Sequence, residues 1–146
     1  MNPKDAVIRV RHVMKTDVDV VDGMLTVTEA LQAMRYHGTR TLIVDKRDPD
    51  DEYGVVMFGD IARQVLARDL SPDRVNVYEI MSKPVVFVDP EMDVRYCTRL
   101  FGQFGLSRAP VLDNGRVVGL VSYTDIVIKG LMKDMDWADL ADDGKP

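Results

Sequence analysis

Cysteine and histidine are scarce in this sequence of 146 residues, which has one cysteine, Cys97, and two histidines, His12 and His37. A single cysteine excludes an internal disulfide, and the lack of a Cys/His cluster argues against a zinc site of the usual spacing. The sequence therefore predicts a protein of the reducing cytoplasm that carries no metal.

Long apolar runs and an excess of positive charge are also missing. No apolar stretch approaches the roughly 20 residues that a membrane helix needs, so no membrane span is predicted. The formal net charge is -5, and segment 133–146 contributes most of it with five Asp against two Lys. Because nucleic-acid binders are usually basic, the charge argues against a nucleic-acid partner. The glycine-rich motifs of P-loop and dinucleotide-binding proteins are absent as well.

No catalytic arrangement can be assembled from the remaining reactive side chains. The glutamates have no partner that the sequence places beside them, and no nucleophile has both a base and an orienting group. Cys97 lies on the apolar face of a predicted helix, which favours a small buried side chain over a reactive thiol. Enzyme activity is therefore not predicted.

The sequence does contain an internal duplication, in which the first two matching segments recur 67 residues later in the chain. The first copy of each motif recurs in order along the second half of the chain. The matching segments are 13–16 with 80–83, 20–22 with 87–89, 42–45 with 110–113, and 54–61 with 119–126.

Each copy is predicted to fold as strand, helix, strand, strand and helix. The first helix of the first copy has apolar residues at i, i+3, i+4 and i+7, and four residues occupy the equivalent places in the second copy. Each helix is predicted to end at a glycine, Gly38 or Gly105. Asn114-Gly115 predicts a tight hairpin in the second copy, where the first copy has a longer charged turn over residues 46–52. The residues of these apolar faces are Val27, Ala30, Leu31 and Met34 in the first copy, and Val94, Cys97, Thr98 and Phe101 in the second.

The duplication predicts an α/β (α+β) protein with two β-α-β-β-α units, residues 7–70 and 74–132, followed by an acidic segment, 133–146. Because so small a domain buries only about 60% of its unfolded surface, the units are expected to pack together with pseudo-twofold symmetry. Two similar clefts between their sheets are then the expected ligand sites. The acidic segment is either a solvated helix end or a docking tail anchored by Trp137 and Leu140.

Polar side chains gather where a predicted strand of the second copy turns into a helix, at Ser122, Thr124 and Asp125. A carboxylate can bind ribose hydroxyls, while hydroxyls and helix-start amides can bind phosphate. The same residues also form the ordinary N-cap of a helix. Their spacing leaves both interpretations open.

The chain resembles a tandem pair of CBS domains, the family named after cystathionine β-synthase, in the arrangement called a Bateman module. The resemblance covers about residues 7–131 and rests on Val13-Met14 with Ile80-Met81 and on segments 108–113 and 119–125. Such pairs commonly bind AMP, ADP, ATP or S-adenosylmethionine between their units, and form disc-like homodimers through their helices. The resemblance therefore implies a stand-alone, cytoplasmic adenine-nucleotide sensor without a cofactor, which signals to a protein partner in trans.

The resemblance also implies which residues bind the nucleotide. Asp125 corresponds to the ribose-binding carboxylate, Ser122 and Thr124 to its hydroxyl contacts, and Arg108 to a basic residue that can face phosphate. The further residues of this site are Ala109, Pro110, Thr16, Asp17, Val18 and Val20, the last four coming from the early strand of the other copy. A second site is implied at Asp60, with Arg40, Lys83, Pro84, Val85 and Phe87.

The second site is expected to be the weaker of the two. Met57 and Gly59 stand where the Asp125 site has Ser122 and Thr124, so two hydroxyl partners are missing. At about 0.5 to 1.5 kcal/mol for each hydrogen bond, their loss weakens binding roughly tenfold to a hundredfold. The missing hydroxyls at Met57 and Gly59 also support the alternative function, a dimerisation or interaction scaffold that binds no small molecule. Slow nucleotide hydrolysis at Asp125 is the weakest of the three hypotheses.

Overall fold

The computed structural model describes residues 7–83 and 86–132. Pro84, Val85 and the acidic segment 133–146, for which the sequence made predictions, lie outside the described residues. In chain order the elements are α1 (Val10–Val13), β1 (Asp19–Val21), α2 (Val27–Ala33), a 3-10 turn (His37–Thr39), β2 (Thr41–Val44), β3 (Gly54–Met57), α3 (Phe58–Ile61), α4 (Val77–Ile80), α5 (Val94–Phe104), β4 (Arg108–Asp113), β5 (Arg116–Ser122) and α6 (Tyr123–Asp125). Helices α3 and α6 continue as π-helical segments, Ala62–Leu66 and Ile126–Leu131.

The chain forms two compact units, and the limits of these units differ from those of the two repeats in the sequence. The Asp60 unit comprises the described residues from 18 to 83, and the Asp125 unit comprises 7–17 together with 86–132. Each unit thus holds the main elements of one copy and the short opening helix of the other. The ranges 7–70 and 74–132 describe the duplication along the chain, whereas in space the opening segments are exchanged.

Each exchanged opening segment contributes a methionine that packs against a glycine of the other copy. A Cβ atom on Gly54 would lie 2.7 Å from the Met81 sulfur, and one on Gly119 would lie 2.7 Å from the Met14 sulfur. The absence of a side chain on each glycine permits this close approach. The Met and Gly motifs that recur in the sequence are the two sides of one contact. Antiparallel bridges beside these contacts join Ser82 to Val55 and Lys15 to Leu120.

The Asp60 unit contains a three-stranded sheet in the order β1-β2-β3. Strand β1 runs parallel to β2, and β3 runs antiparallel to it. Strand β2 is buried along its whole length, as its run of apolar residues predicts. The core of this unit includes Val21, Val27, Ala30, Leu42, Val56, Val65 and Val77.

The Asp125 unit contains the antiparallel pair β4-β5. The predicted Asn114-Gly115 hairpin is confirmed, with φ of 51° and 78° at its two central residues, as a type I′ turn requires. The strand predicted at 87–89 is reduced to one parallel bridge between Val88 and Val111. Pro110 has no N–H, so it cannot donate the next hydrogen bond of that ladder. The core of this unit includes Val10, Val13, Cys97, Phe101, Val111 and Val121.

The prediction that the first helix ends at Gly38 is wrong, because α2 ends at Ala33. The carboxylate of Asp19, which is buried in β1, accepts the N–H groups of Arg35 and Tyr36 at 2.9 and 3.0 Å. These amides are the donors that would otherwise continue the helix. A residue of the neighbouring strand thus terminates α2.

The corresponding prediction for the second copy is confirmed. Helix α5 runs to Phe104 and ends at Gly105, whose φ is 66°. This left-handed conformation suits glycine. Val86 occupies the position that matches Asp19 at a shift of 67 residues, and it offers no carboxylate to capture the amides of the helix.

Candidate functional site

Asp125 is a buried carboxylate at the start of α6, with 4% of its surface exposed. Its Oδ2 atom accepts hydrogen bonds from the Ser122 N–H at 3.0 Å and from the Ser122 hydroxyl at 2.9 Å. The Ser122 hydroxyl in turn accepts the Asp125 N–H at 3.2 Å. The N-cap interpretation of these residues is therefore confirmed, and the cap holds the carboxylate in one orientation.

The other carboxylate oxygen, Oδ1, accepts a hydrogen bond from the Lys15 ammonium at 2.5 Å. The Lys15 backbone exchanges hydrogen bonds of 2.8 Å with Leu120 in both directions, which brings residue 15 beside a carboxylate 110 residues away. The Lys15 side chain is 39% exposed. Lys15 was not among the residues predicted for this site. Comparing the copies could have found it, because Lys15 matches Ser82 at the shift of 67.

Four other predicted residues lie in the Asp125 unit near these elements. Arg108 is half-buried and is paired with Ser122 in the register of β4 and β5. Thr124 is exposed on α6. Thr16 and Asp17 directly follow Lys15 and are exposed. The unit thus combines a buried carboxylate with two nearby basic side chains and exposed polar groups.

The remaining residues predicted for the Asp125 site are placed differently. Ala109 and Pro110 are buried within β4, and Ala109 is part of the hydrophobic core. Val18 and Val20 belong to the Asp60 unit. There they line an open pocket of about 450 Å³ together with Asp19, Arg35 and Tyr36, among others. Their participation in a site at Asp125 stays a prediction.

Asp60 is the buried counterpart of Asp125 in the Asp60 unit, with 8% of its surface exposed. It accepts the Met57 N–H at 2.8 Å and a hydrogen bond from the Arg63 guanidinium at 3.0 Å. Arg63 lies three residues along the same helical segment, and its side chain is 70% exposed. A Cβ atom on Gly59 would be 3.0 Å from the Arg63 Nη1 atom. A guanidinium therefore lies where the second copy has Thr124.

Lys83, predicted for the second site, forms an ion pair with Asp51. The Lys83 ammonium lies 2.6 Å from the Asp51 carboxylate, and its side chain is 20% exposed. Asp51 also accepts the Arg47 N–H at 2.9 Å. The hydrogen bond from Lys83, followed by that from Arg47, holds the pKa of Asp51 well below its usual range. Lys83 thus anchors the long charged turn of the first copy.

The structure also describes Arg40 and Phe87, the two other residues predicted for the second site. Arg40 is exposed and adopts a left-handed φ of 54°, and its carbonyl accepts the Phe58 N–H at 3.0 Å. Phe87 belongs to the Asp125 unit and is half-buried. Pro84 and Val85 lie outside the described residues.

Cys97 is fully buried in the core of the Asp125 unit, and burial raises the pKa of its thiol to about 11. The interpretation of Cys97 as a buried apolar side chain is therefore confirmed. Within 7–83 and 86–132, no group of three or more His, Cys, Asp or Glu residues is arranged to hold a metal ion. The helices of the described chain also include none with the length and apolar character to span a membrane.

Comparisons with known proteins agree on one family. A family model described as the CBS domain matches residues 10–67 and again residues 77–130. An uncharacterized protein of Methanopyrus kandleri is 30% identical over 121 residues, which is 82% of this chain and 61% of that protein. The chain therefore spans less than two thirds of that relative's length.

Two solved structures extend the comparison to the fold. A hexameric CBS-CP12 protein from bloom-forming cyanobacteria has a TM-score of 0.81 at 38% identity, covering 88% of this chain and 74% of that one. A CBS domain pair solved with 5′-methylthioadenosine and S-adenosyl-L-methionine has a TM-score of 0.72 at 21% identity, covering 90% of this chain and 100% of that one. The second likeness shows the fold alone.

Proposed function

Because this chain belongs to the CBS domain family and carries two CBS domains in tandem, we propose that it is a regulatory module that binds an adenine nucleotide at Asp125. The ligand is AMP, ADP or ATP, with S-adenosylmethionine as the other adenosine compound to be tested. The observation that carries the proposal is the buried Asp125 carboxylate, which Ser122 holds in one orientation.

The chemistry of this carboxylate suits a ribose. Ribose hydroxyls donate hydrogen bonds, and a charged acceptor makes such bonds shorter and stronger than a neutral one. Because Ser122 fixes the Asp125 side chain before any ligand arrives, binding does not have to restrict its rotation, which favours affinity. Lys15, beside the carboxylate, and Arg108, paired with Ser122 across the strands, add positive charge for a phosphate.

The output of the module is proposed to be regulation of a separate protein in trans, in the cytoplasm, through a homodimer. A bound nucleotide can bias an assembly only if it binds two of its states with different affinities. The proposal therefore requires that nucleotide binding changes the affinity for the partner or the geometry of the dimer.

The Asp60 site is proposed to bind more weakly. Its carboxylate lacks hydroxyl neighbours at Met57 and Gly59, and the Arg63 guanidinium already bonds to it. We expect a stoichiometry of one nucleotide per chain.

A second candidate function is an interaction scaffold that binds no small molecule. Exposed large apolar side chains of the Asp125 unit favour it, since Tyr96, Phe104 and Leu131 are each more than half exposed. Exposed apolar side chains can contribute to protein interfaces. Such a scaffold would assemble with or without nucleotide.

Isothermal titration with AMP, ADP, ATP and S-adenosylmethionine separates the two candidates. Under the proposed function, at least one compound binds saturably to the wild-type protein and fails to bind to Asp125→Asn, which keeps the size of the side chain but removes its charge. No binding of any compound, together with an unchanged melting temperature and an assembly that persists in light scattering, would support the scaffold.

A further inference from the structure

The Lys15 ammonium donates a hydrogen bond to Asp125, the carboxylate to which a ribose is proposed to bind. An ionised carboxylate has about four acceptor positions. Two on Oδ2 are taken by the N–H and hydroxyl of Ser122, and one on Oδ1 is taken by Lys15. A ribose that donates two hydroxyls therefore has to displace the Lys15 ammonium from Oδ1.

Displacing Lys15 is unfavourable unless its charge finds a new partner. The ion pair involves a carboxylate that is 4% exposed, so losing the cation leaves a nearly buried negative charge without compensation. The Lys15 ammonium has three N–H donors, and its 39% exposure leaves room for another acceptor. A phosphate on the ligand supplies that acceptor, whereas an uncharged nucleoside such as methylthioadenosine does not.

We propose that Lys15 makes the Asp125 site selective for adenosine ligands that carry a phosphate over those that carry none. This inference rests on the proposed function and narrows its ligand class to nucleotides. On binding, the ribose hydroxyls replace Lys15 at Oδ1 and the ammonium pairs with the phosphate. Methylthioadenosine has to displace the same ammonium without offering it any anion.

The Asp60 unit shows that this lysine is specific to one site. There the carboxylate is neutralised by Arg63, which comes from the same helical segment and is largely exposed. The opening segment of that unit has Ser82 where the Asp125 unit has Lys15. The cation of that opening segment, Lys83, pairs with Asp51 instead, so Lys15 is the one that meets a buried carboxylate of the repeated motif.

The test compares AMP with methylthioadenosine by isothermal titration of the full chain. Wild type is measured beside Lys15→Met and Lys15→Arg, with Lys129→Met as the matched control, because Lys129 is an exposed lysine of the same unit. For Lys15→Met we expect the preference for AMP, measured as the ratio of its affinity to that of methylthioadenosine, to fall at least about tenfold, because only AMP replaces the lost charge-assisted hydrogen bond of Lys15. Methylthioadenosine should bind as tightly as before or more tightly.

The controls define what would overturn the inference. Lys15→Arg keeps the charge and should retain a preference for AMP, and Lys129→Met should leave both affinities unchanged. If Lys15→Met unfolds, Lys15→Ser, which copies Ser82, takes its place. Equal changes in the affinities for AMP and methylthioadenosine would overturn the role of Lys15 and leave the proposed function standing. Binding of neither compound to the wild type would overturn both.

Discussion

Asp60 and Asp125 hold equivalent positions in the two copies, but different parts of the chain neutralise them. Asp60 pairs with Arg63, three residues along its own helical segment, whereas Asp125 pairs with Lys15, 110 residues away. The shared motif thus places a buried carboxylate in the helix that directly follows a strand in both units. The residues that differ between the copies decide which cation meets it.

The two copies differ in the same way at their first helices. Asp19 captures two amides and ends α2 after seven residues, whereas α5 has no such acceptor and runs for 11 residues. One substitution in a neighbouring strand therefore sets the length of a helix. Propensity within the helix does not explain this difference, because the acceptor lies outside it.

The largest expected change in stability follows from Asp19. Asp19→Val, which copies Val86 of the second copy, removes both hydrogen bonds to a charged acceptor inside the Asp60 unit. We expect it to lower the free energy of unfolding by about 3 kcal/mol, as measured by urea denaturation. Asp19→Asn keeps one acceptor oxygen and should cost less. An Asp19→Val protein as stable as the wild type would contradict this account of how α2 ends.

A smaller effect is expected where the exchanged segments meet a glycine. A Cβ atom at Gly119 would lie 2.7 Å from the backbone oxygen of Lys15. At Gly54 the atom at 2.7 Å is the sulfur of the flexible Met81 side chain. We expect Gly119→Ala to lower the free energy of unfolding by about 2 kcal/mol, and Gly54→Ala by about 1 kcal/mol, because a side chain moves more easily than a backbone. Thermal denaturation of both variants checks the order, and the reverse order would refute it.

The hairpin of the Asp125 unit is expected to contribute less. Asn114 has a φ of 51°, a conformation that Asn tolerates better than Ala does. We expect Asn114→Ala to cost about 1 kcal/mol in urea denaturation. Asn114→Gly serves as the control and should leave stability near the wild-type value. A neutral Asn114→Ala substitution would mean that the turn does not demand a left-handed residue.

The contribution of the longer turn of the Asp60 unit, residues 46–52, to the stability of the protein is expected to depend on pH. Because Lys83 and Arg47 depress the pKa of Asp51 in the folded protein, its stabilising effect is fully present above the unfolded pKa and is lost as the pH falls through the folded value. The stability difference between wild type and Asp51→Asn should therefore narrow as the pH falls below about 4. Urea denaturation at a series of pH values measures it. A difference that widens in acid would contradict the ion pair.

Much of the fold follows from local patterns in the sequence. The Asn114-Gly115 turn, the end of α5 at Gly105 and the cap at Ser122 all depend on residues close together in the chain, and the duplication is visible when the chain is aligned with itself. The early end of α2, the exchange of opening segments and the Lys15–Asp125 pair depend on residues far apart in the chain. Spacing within one segment carries no signal for such contacts, although comparing Lys15 with Ser82 and Asp19 with Val86 would have marked where the copies diverge.

The central claim is that Asp125, and not Asp60, anchors a nucleotide. Isothermal titration of AMP into wild type, Asp125→Asn and Asp60→Asn tests it with two matched substitutions. We predict one AMP per chain in the wild type and in Asp60→Asn, and no saturable binding to Asp125→Asn. Wild-type affinity and stoichiometry in Asp125→Asn would contradict the account.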